Sequence, residues 1–141
     1  MRPDTDAYFL TLAAVVATRG TCARRQVGCV LVDGDRHVLA TGYNGPPSGE
    51  PHCTDQPCAG AGQASGAGLE LCEAIHAEQN ALLQCRDVRE VLACYTTVFP
   101  CAHCLKLLLN TGCRHVVYRA DYPGGVALRA RWGRRLNLVQ A

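Results

Sequence analysis

Hydrophobic positions near the start of the chain recur at the spacing of an α-helix. Ala13, Ala14 and Ala17 follow Leu10 by three, four and seven residues, which places all four on one helical face. Asp4 or Thr5 can cap such a helix, and Gly20 can end it. The pattern therefore predicts a helix over residues 4–19.

Two short apolar runs after this helix predict a β-hairpin. Residues 27–33 are rich in Val and Leu, which is typical of a buried strand. Gly34 and Asp35 indicate a turn, so residues 38–41 are expected to return as the second strand. The next segment, 42–68, is rich in Gly and Pro, and we expect it to be a long loop.

The second half of the chain predicts helices that alternate with strands. An Ala- and Leu-rich face indicates a helix over 70–86. A strand over 93–99, a helix over 100–110 and a strand over 113–119 form one unit, whose strands are expected to be parallel. An Arg-rich helix and a short strand over 137–139 follow. This order favours an α/β fold with a mixed sheet of about five strands.

Length and composition narrow the class of protein. The 141 residues are expected to form a single domain, 1–141. With 48% hydrophobic and 18% charged residues, the composition excludes a disordered chain. A net charge of +2 is too small to indicate a nucleic-acid or membrane partner.

The cysteine content directs attention to metal chemistry. The apolar run over residues 8–17 is too short to cross a bilayer, and acidic rather than basic residues precede it. We therefore expect a cytoplasmic protein without a membrane partner. In a reducing compartment its ten cysteines are expected to be thiols or metal ligands rather than disulfides.

Three residues have the spacing of a zinc site. Cys101 and Cys104 lie one helical turn apart, so both sulfurs face the same way, and His76 lies near the start of the preceding helix. Helix N-termini favour thiolates. Three protein ligands leave the fourth zinc position to water, as in catalytic sites. The alternative is a closed structural site with His103 as fourth ligand, which gives Glu78 no role.

Glu78 lies where it can move protons to and from a zinc-bound water. The pattern H-x-E followed by P-C-x-x-C, here His76 to Glu78 and Pro100 to Cys104, is the signature of zinc nucleobase deaminases. In that chemistry zinc lowers the pKa of the water that adds to the ring, and ammonia leaves. Glu78 is then the candidate general acid and base.

Two segments resemble the deoxycytidylate (dCMP) deaminase family. Residues 76–82, His-Ala-Glu-Gln-Asn-Ala-Leu, resemble its H-A-E-x-N-A-[IL] motif, and residues 42–49, Gly-Tyr-Asn-Gly-Pro-Pro-Ser-Gly, resemble its G-Y-N-G-x-P-x-G loop. Val27 and Gly28 match the start of the strand before this loop. The resemblance covers residues 9–122 and is greatest to bacterial and phage members, including the late-competence ComE operon protein 2 type.

The resemblance implies a fold, an activity and an assembly. The fold is the cytidine deaminase-like three-layer αβα sandwich with a central mixed sheet. The implied activity is zinc-dependent hydrolysis of dCMP to dUMP and ammonia, with zinc on His76, Cys101 and Cys104 and with Glu78 as the acid and base. Family members form homo-oligomers, commonly hexamers.

The resemblance also implies contacts to the nucleotide. Asn44 would lie by the sugar, while Ala77 and the segment from Thr97 to Phe99 would frame the cytosine ring.

A 5′-phosphate needs cationic or N–H donors, for which Arg24 and Arg25 are the candidates. Tyr122 could close the pocket, although a surface or core-edge role remains open for it and for both arginines. The Arg-rich segment 129–135 is consistent with an oligomer contact, a phosphate-facing patch or a plain solvated helix, of which we expect the last.

A second zinc ion is expected in the long loop. Its candidate ligands are three cysteines in or just after the loop, Cys53, Cys58 and Cys72, together with Cys22, which precedes the Arg pair. Such an ion would fix a flexible segment beside the substrate. His52 is an alternative fourth ligand, and unligated thiols are the other interpretation. The remaining cysteines are expected in the core: Cys29, Cys85, Cys94 and Cys113.

Other functions remain open on sequence alone. A modified substrate such as 5-methyl-dCMP would need a pocket shape that the sequence does not show. A tRNA adenosine deaminase or free-base deaminase would keep the zinc motifs but lack the G-Y-N-G loop in this form. A non-enzymatic zinc module that binds nucleic acid through its arginines would show salt-dependent DNA binding and would not need Glu78.

Overall fold

The computed structural model describes residues 1–64 and 66–141. Its regular elements follow in chain order: α1 (Thr5–Ala17), β1 (Gly28–Val32), β2 (Val38–Tyr43), α2 (Ala77–Gln84), β3 (Ala93–Val98), α3 (Ala102–Leu109), β4 (His115–Ala120), α4 (Gly125–Trp132) and β5 (Asn137–Gln140). Short 3₁₀ turns occupy Leu69–Leu71 and Val88–Glu90.

One mixed sheet of five strands organises the chain, in the order β2-β1-β3-β4-β5. The β1 strand pairs antiparallel with β2 and β3, whereas β4 pairs parallel with β3 and β5. One row of paired residues crosses the whole sheet: Thr41, Val30, Tyr95, Val117 and Val139. The predicted mixed sheet and the parallel β3–α3–β4 unit are confirmed.

Helices cover both faces of this sheet, which confirms the three-layer αβα sandwich. On one face, Phe9 and Leu10 of α1 pack with Val30 and Tyr95. On the other face, residues of α2 and α3 form a second core with β1, β3 and β4: Ala77, Ala81, Leu105, Leu108, Leu31, Cys94 and Val116. Leu128 and Trp132 of α4 pack against this second core. None of the helices in the described residues has the length and apolar character needed to cross a membrane.

Two glycines let the helices approach the sheet closely. A Cβ atom at Gly28 would overlap the carbonyl oxygen of Ala13 in α1, and one at Gly42 would overlap that of Ala77 in α2. The missing side chain of Gly42 thus makes room for the backbone of α2 rather than for a ligand.

The predicted helix over 70–86 is wrong in its first half. The α2 helix begins at Ala77, after His76 in an extended conformation (φ −72°, ψ 156°). Ile75 is held in extended form because its backbone exchanges two hydrogen bonds with Gly45, at 2.8 and 3.1 Å. This non-local pairing overrides the helical pattern and fixes the start of α2.

Candidate active site

Three predicted ligands meet on the α2–α3 side of the sheet. His76 Nδ1 lies 3.4 Å from Cys101 Sγ and 3.4 Å from Cys104 Sγ. His76 is the N-cap residue of α2, and Cys101 is the N-cap residue of α3. Both helices therefore direct their positive N-terminal ends at the cluster, where they favour thiolate.

The donor set fits a zinc ion. Its nitrogen and two sulfurs all lie within 4.8 Å of one another. Tetrahedral zinc with Zn–S of about 2.3 Å and Zn–N of about 2.0 Å requires nitrogen–sulfur separations of roughly 3.5 Å, close to those observed. Within residues 1–64 and 66–141 one other such group occurs, Asp33, Asp35 and His37, at the largely exposed turn between β1 and β2.

Hydrogen bonding divides the protons unequally between the two thiols. A hydrogen bond from Cys104, and to a smaller extent one from His76, lowers the pKa of the Cys101 thiol to about 4. The pKa of Cys104 is raised by its hydrogen bond to Cys101 and by burial. The pKa of His76 is raised because it donates to the Cys101 sulfur. The pocket thus stabilises a thiolate even before a cation is considered, which suits a metal-ligand set.

Glu78 lies in the first turn of α2 with only 4% of its surface exposed. Burial raises the pKa of its carboxyl group. Thr96 Oγ1 donates to Glu78 Oε1 at 3.1 Å from the adjacent strand β3. A carboxyl group with a raised pKa beside a metal-ligand set is suited to accept and return protons.

A cavity opens in front of these residues, with Glu78, His76 and Cys101 in its wall. Six residues predicted to bind the nucleotide also line it: Arg24, Arg25, Asn44, Ala77, Phe99 and Tyr122. The structure thus brings together segments far apart in sequence around one cavity. Thr97 is not among the described residues that line it, and its Oγ1 instead accepts a hydrogen bond from Gly28 N at 3.2 Å.

Asn44 and Arg24 are already engaged with the protein backbone. Asn44 Nδ2 donates to the Arg25 carbonyl at 2.7 Å, and its Oδ1 accepts from Val27 N at 2.8 Å. Arg24 Nη1 donates to the carbonyl oxygens of Ala64 (3.1 Å) and Ala67 (2.6 Å). Arg24 therefore straps the Gly-rich loop to the cavity wall.

Arg25 also lines the cavity and differs from Arg24 in its contacts. In the part of the chain that the structure describes, the Arg25 guanidinium has no side-chain hydrogen bond or ion pair, whereas Arg24 donates through Nη1. Tyr122 also lines the cavity and lies against the loop, where a Cβ atom at Gly66 would be 3.1 Å from its hydroxyl.

The expectation of a plain solvated helix is wrong for Arg129. Its guanidinium forms a two-point ion pair with Asp121 at 2.9 and 3.2 Å. It also donates to Tyr118 Oη at 3.2 Å and lies 5.3 Å from the centre of the Phe99 ring. Arg129 therefore supports the cavity wall from behind, a role that helical periodicity could not reveal.

The four cysteines predicted to bind a second zinc lie in adjoining segments, but their sulfurs do not form a cluster within 4.8 Å. Cys58 N donates to Cys53 Sγ at 3.3 Å. Cys22 and Cys72 line the active-site cavity. The second ion stays a prediction.

Sequence reasoning missed several residues of the site, of which Thr96 is the most informative. Residues along a strand alternate between faces, so Thr96 shares the face of Cys94 and lies beneath α2. The alternation of residues along β3 could therefore have predicted that Thr96 faces α2. The apolar wall residues Val27, Ala74 and Val98 carried no comparable signal.

Comparison with known proteins agrees with this geometry. A family model described as "Cytidine and deoxycytidylate deaminase zinc-binding region" matches residues 3–120. The deoxycytidylate deaminase of Mycobacterium phage D29 is 42% identical over 124 residues, covering 83% of this chain and 95% of the phage protein. The deoxycytidylate deaminase of Schizosaccharomyces pombe is also 42% identical, over 127 residues and 86% of this chain.

Some of these relatives are much longer than this chain, and a protein of lower sequence identity shares its fold. The chain spans 38% of the length of the S. pombe protein and 39% of that of its Saccharomyces cerevisiae relative. The crystal structure of the dCMP deaminase from cyanophage S-TIM5 in apo form superposes with a TM-score of 0.74 at 24% identity, over 100% of both chains. A zinc-binding family model that spans most of the sequence, on a fold that supplies the matching ligand set, shows that this chain belongs to the cytidine and deoxycytidylate deaminase family.

Proposed function

We propose that the protein is a zinc-dependent hydrolase that converts dCMP and water into dUMP and ammonia. The observation that carries the proposal is the buried Glu78 carboxyl group, which shares a cavity wall with the zinc-fitting set of His76, Cys101 and Cys104. Two relatives at 42% identity are named deoxycytidylate deaminases, and the phage relative matches along nearly its whole length.

In this mechanism zinc on His76, Cys101 and Cys104 would supply a water molecule whose pKa is lowered toward neutrality. Glu78 accepts a proton and keeps it inside the cavity, because its buried carboxyl group favours the protonated form. Glu78 donates this proton to ring N3, accepts a second proton from the hydroxyl group that has added to C4, and donates it to the amino group, which leaves from C4 as ammonia. One group thus moves every proton that the reaction needs.

Substrate recognition divides between an apolar wall and one cation. Phe99, Val98 and Ala77 form a wall that suits a pyrimidine ring. We assign the 5′-phosphate to Arg25, since Nη1 of Arg24 already donates to two loop carbonyls. Asn44 keeps one amide N–H for the sugar while the other holds Arg25.

We further propose that a second, structural zinc ion joins Cys22, Cys53, Cys58 and Cys72. Contacts between their segments support it: Thr54 N donates to Thr21 O at 3.1 Å, next to Cys53 and Cys22. A Cβ atom at Gly60 would lie 2.8 Å from the Cys72 Cα atom, so the turn after Cys58 adjoins Cys72. The pKa of the Cys58 thiol is lowered, chiefly because the Glu73 backbone N–H donates to its sulfur.

The expected homo-oligomer remains part of the proposal. Two leucines on the neighbouring helices α2 and α3 support it, since Leu83 is 77% and Leu107 45% exposed. Light scattering of the purified chain at micromolar concentration tests it, and a stable monomer would contradict it. The single-domain organisation and the cytoplasmic location also stay predictions.

The activity is tested by ammonia release from several substrates in parallel. The zinc-loaded protein is given dCMP, CMP, deoxycytidine, 5-methyl-dCMP and dAMP. We expect kcat/KM for dCMP to exceed that for deoxycytidine by about tenfold to a hundredfold, the effect of one Arg–phosphate contact. Equal values would show that the phosphate is not recognised, and turnover of dAMP alone would overturn the assignment.

Two variants and a control identify the residues responsible. Arg25→Ala should reduce the ratio of kcat/KM for dCMP to kcat/KM for deoxycytidine. Arg134 is exposed and lies outside the cavity wall, so Arg134→Ala should not change this ratio. Glu78→Gln should keep zinc and fold but lose about 10²-fold to 10⁴-fold in kcat. A Glu78→Gln protein with more than about a tenth of normal kcat would refute the proton-transfer role.

A further inference from the structure

We propose that Thr96 is a positioning residue that holds the Glu78 carboxyl group in the wall of the cavity. The proposal rests on the function proposed above. Thr96 lies in β3 with its side chain fully buried. Its Oγ1 atom lies 3.1 Å from Glu78 Oε1 and 3.0 Å from the carbonyl oxygen of Val98.

The hydroxyl of Thr96 lies between two oxygens, Glu78 Oε1 at 3.1 Å and the Val98 carbonyl oxygen at 3.0 Å. Because Thr96 is fully buried, its hydroxyl has no water to replace either partner. The contact therefore fixes the position of Glu78 Oε1 relative to the sheet.

The sheet makes Thr96 a rigid support. Its backbone lies between two paired strands, opposite Cys29 of β1 and Tyr118 of β4. Glu78, by contrast, has a flexible side chain that extends from the first turn of α2. Proton transfer requires the carboxyl oxygen to stay within hydrogen-bonding distance of its partner, so a fixed contact from β3 favours the reactive position.

A Thr96→Val substitution removes the hydroxyl and keeps the shape, whereas Thr96→Ser keeps the hydroxyl. We expect Thr96→Val to lower kcat for dCMP by about tenfold to a hundredfold, with KM within about twofold and zinc content unchanged. Thr96→Ser should restore most of the lost kcat. A Thr96→Val enzyme with normal kcat, or a Thr96→Ser enzyme as impaired as Thr96→Val, would overturn the proposal.

Thr111→Val is the matched control. Thr111 is also buried, and its hydroxyl donates to Leu108 O at 2.6 Å and accepts from Cys113 N at 3.0 Å. It follows the C-terminal end of α3, whereas the zinc ligands lie at the N-terminal end. Loss of this hydroxyl should lower the melting temperature and leave kcat unchanged. If Thr111→Val lowers kcat as much as Thr96→Val, the effect of Thr96 is merely structural.

Crystal structures of the zinc-loaded wild type and Thr96→Val give a readout independent of turnover. We expect one Glu78 carboxyl position in the wild type and a displaced or divided one in the variant; an unmoved carboxyl group would overturn the proposal. If the wild type deaminates no nucleotide, the proposed function fails, and the carboxyl position still decides the role of Thr96. If Thr96→Val does not fold, Thr96→Ala replaces it, with normal kcat or an unmoved Glu78 as the contradicting results.

Discussion

The side chain of Asn44 holds the main chain at Arg25 in the wall of the active-site cavity. Its Nδ2 donates to the Arg25 carbonyl at 2.7 Å, and its Oδ1 accepts from Val27 N at 2.8 Å. Asn44 is only 8% exposed, so both bonds are shielded from water. The contact joins the G-Y-N-G loop to the segment that carries both candidate phosphate-binding arginines.

Asn44→Ala should therefore destabilise the fold and weaken substrate binding together. Two backbone groups would lose their partner, at about 1–3 kcal/mol for each group that water cannot reach. We expect a lower melting temperature and a raised KM for dCMP. Asn80→Ala is the control, since Asn80 Nδ2 makes a single, more exposed bond to Tyr43 O at 2.8 Å. Equal loss of stability in the two variants would contradict the proposal that Asn44 holds the main chain at Arg25.

Gly42→Ala should displace α2 and the two site residues at its start. The added methyl group would overlap the Ala77 carbonyl oxygen, and such overpacking typically costs about 1–3 kcal/mol. We expect a lower free energy of unfolding and lower kcat. At Gly62 an added Cβ meets no atom within 4 Å, so Gly62→Ala should change neither quantity. A Gly42→Ala protein with normal stability would show that the helix can shift at little cost.

Metal analysis should give two zinc ions per purified chain. Cys53→Ser should leave one ion and lower the melting temperature, since structural zinc contributes directly to folding stability. Cys85→Ser, at the end of α2 and outside both proposed ligand sets, is the control and should retain both ions. One zinc per wild-type chain would remove the structural site from the proposal.

Arg129→Ala should raise KM for dCMP without loss of zinc. The substitution removes the cation that lies over the Phe99 ring and pairs with Asp121, so this part of the cavity wall loses its support. We expect a rise of about two- to fivefold, as for the loss of one cation–π contact. Arg135→Ala removes an exposed arginine from the same Arg-rich segment and should not alter KM. Equal KM values in all three proteins would refute the supporting role.

Stability should fall at alkaline pH partly through Tyr95. Burial, and then the hydrogen bond from its hydroxyl to Asp6 Oδ1 at 2.8 Å, raise the pKa of the Tyr95 phenol above its ordinary value. Above about pH 10 the unfolded chain loses this proton while the folded chain keeps it. The stability from Tyr95 is therefore complete below about pH 10 and is lost as the pH rises further.

Urea denaturation at pH 9 and pH 11 measures this effect. Tyr95→Phe should be less stable than the wild type by about 1 kcal/mol at pH 9, with a smaller difference at pH 11. Tyr8→Phe removes a half-exposed phenol and serves as the control. A difference between wild type and Tyr95→Phe that does not shrink with pH would contradict the assignment.

Local sequence determined most of the fold and the centre of the site. The strands 93–99 and 113–119 and the helix between them were predicted to within two residues at each end, because periodicity and the Pro100 signal are local. The spacing of Cys101 and Cys104 placed both on one helical turn, and the two separated motifs indicated that His76 and Glu78 would join them. Such features need no knowledge of distant contacts.

Tertiary structure decided what neighbouring residues do not encode. The helix begins at Ala77 rather than near residue 70 because Ile75 pairs with Gly45, 30 positions earlier in the sequence. Arg24 and Arg25 are adjacent, chemically alike and both line the cavity, yet among the described residues only Arg24 donates to carbonyls of the Gly-rich loop. A side chain's role is set by the partners that folding brings within hydrogen-bonding distance, and these partners come from anywhere in the chain.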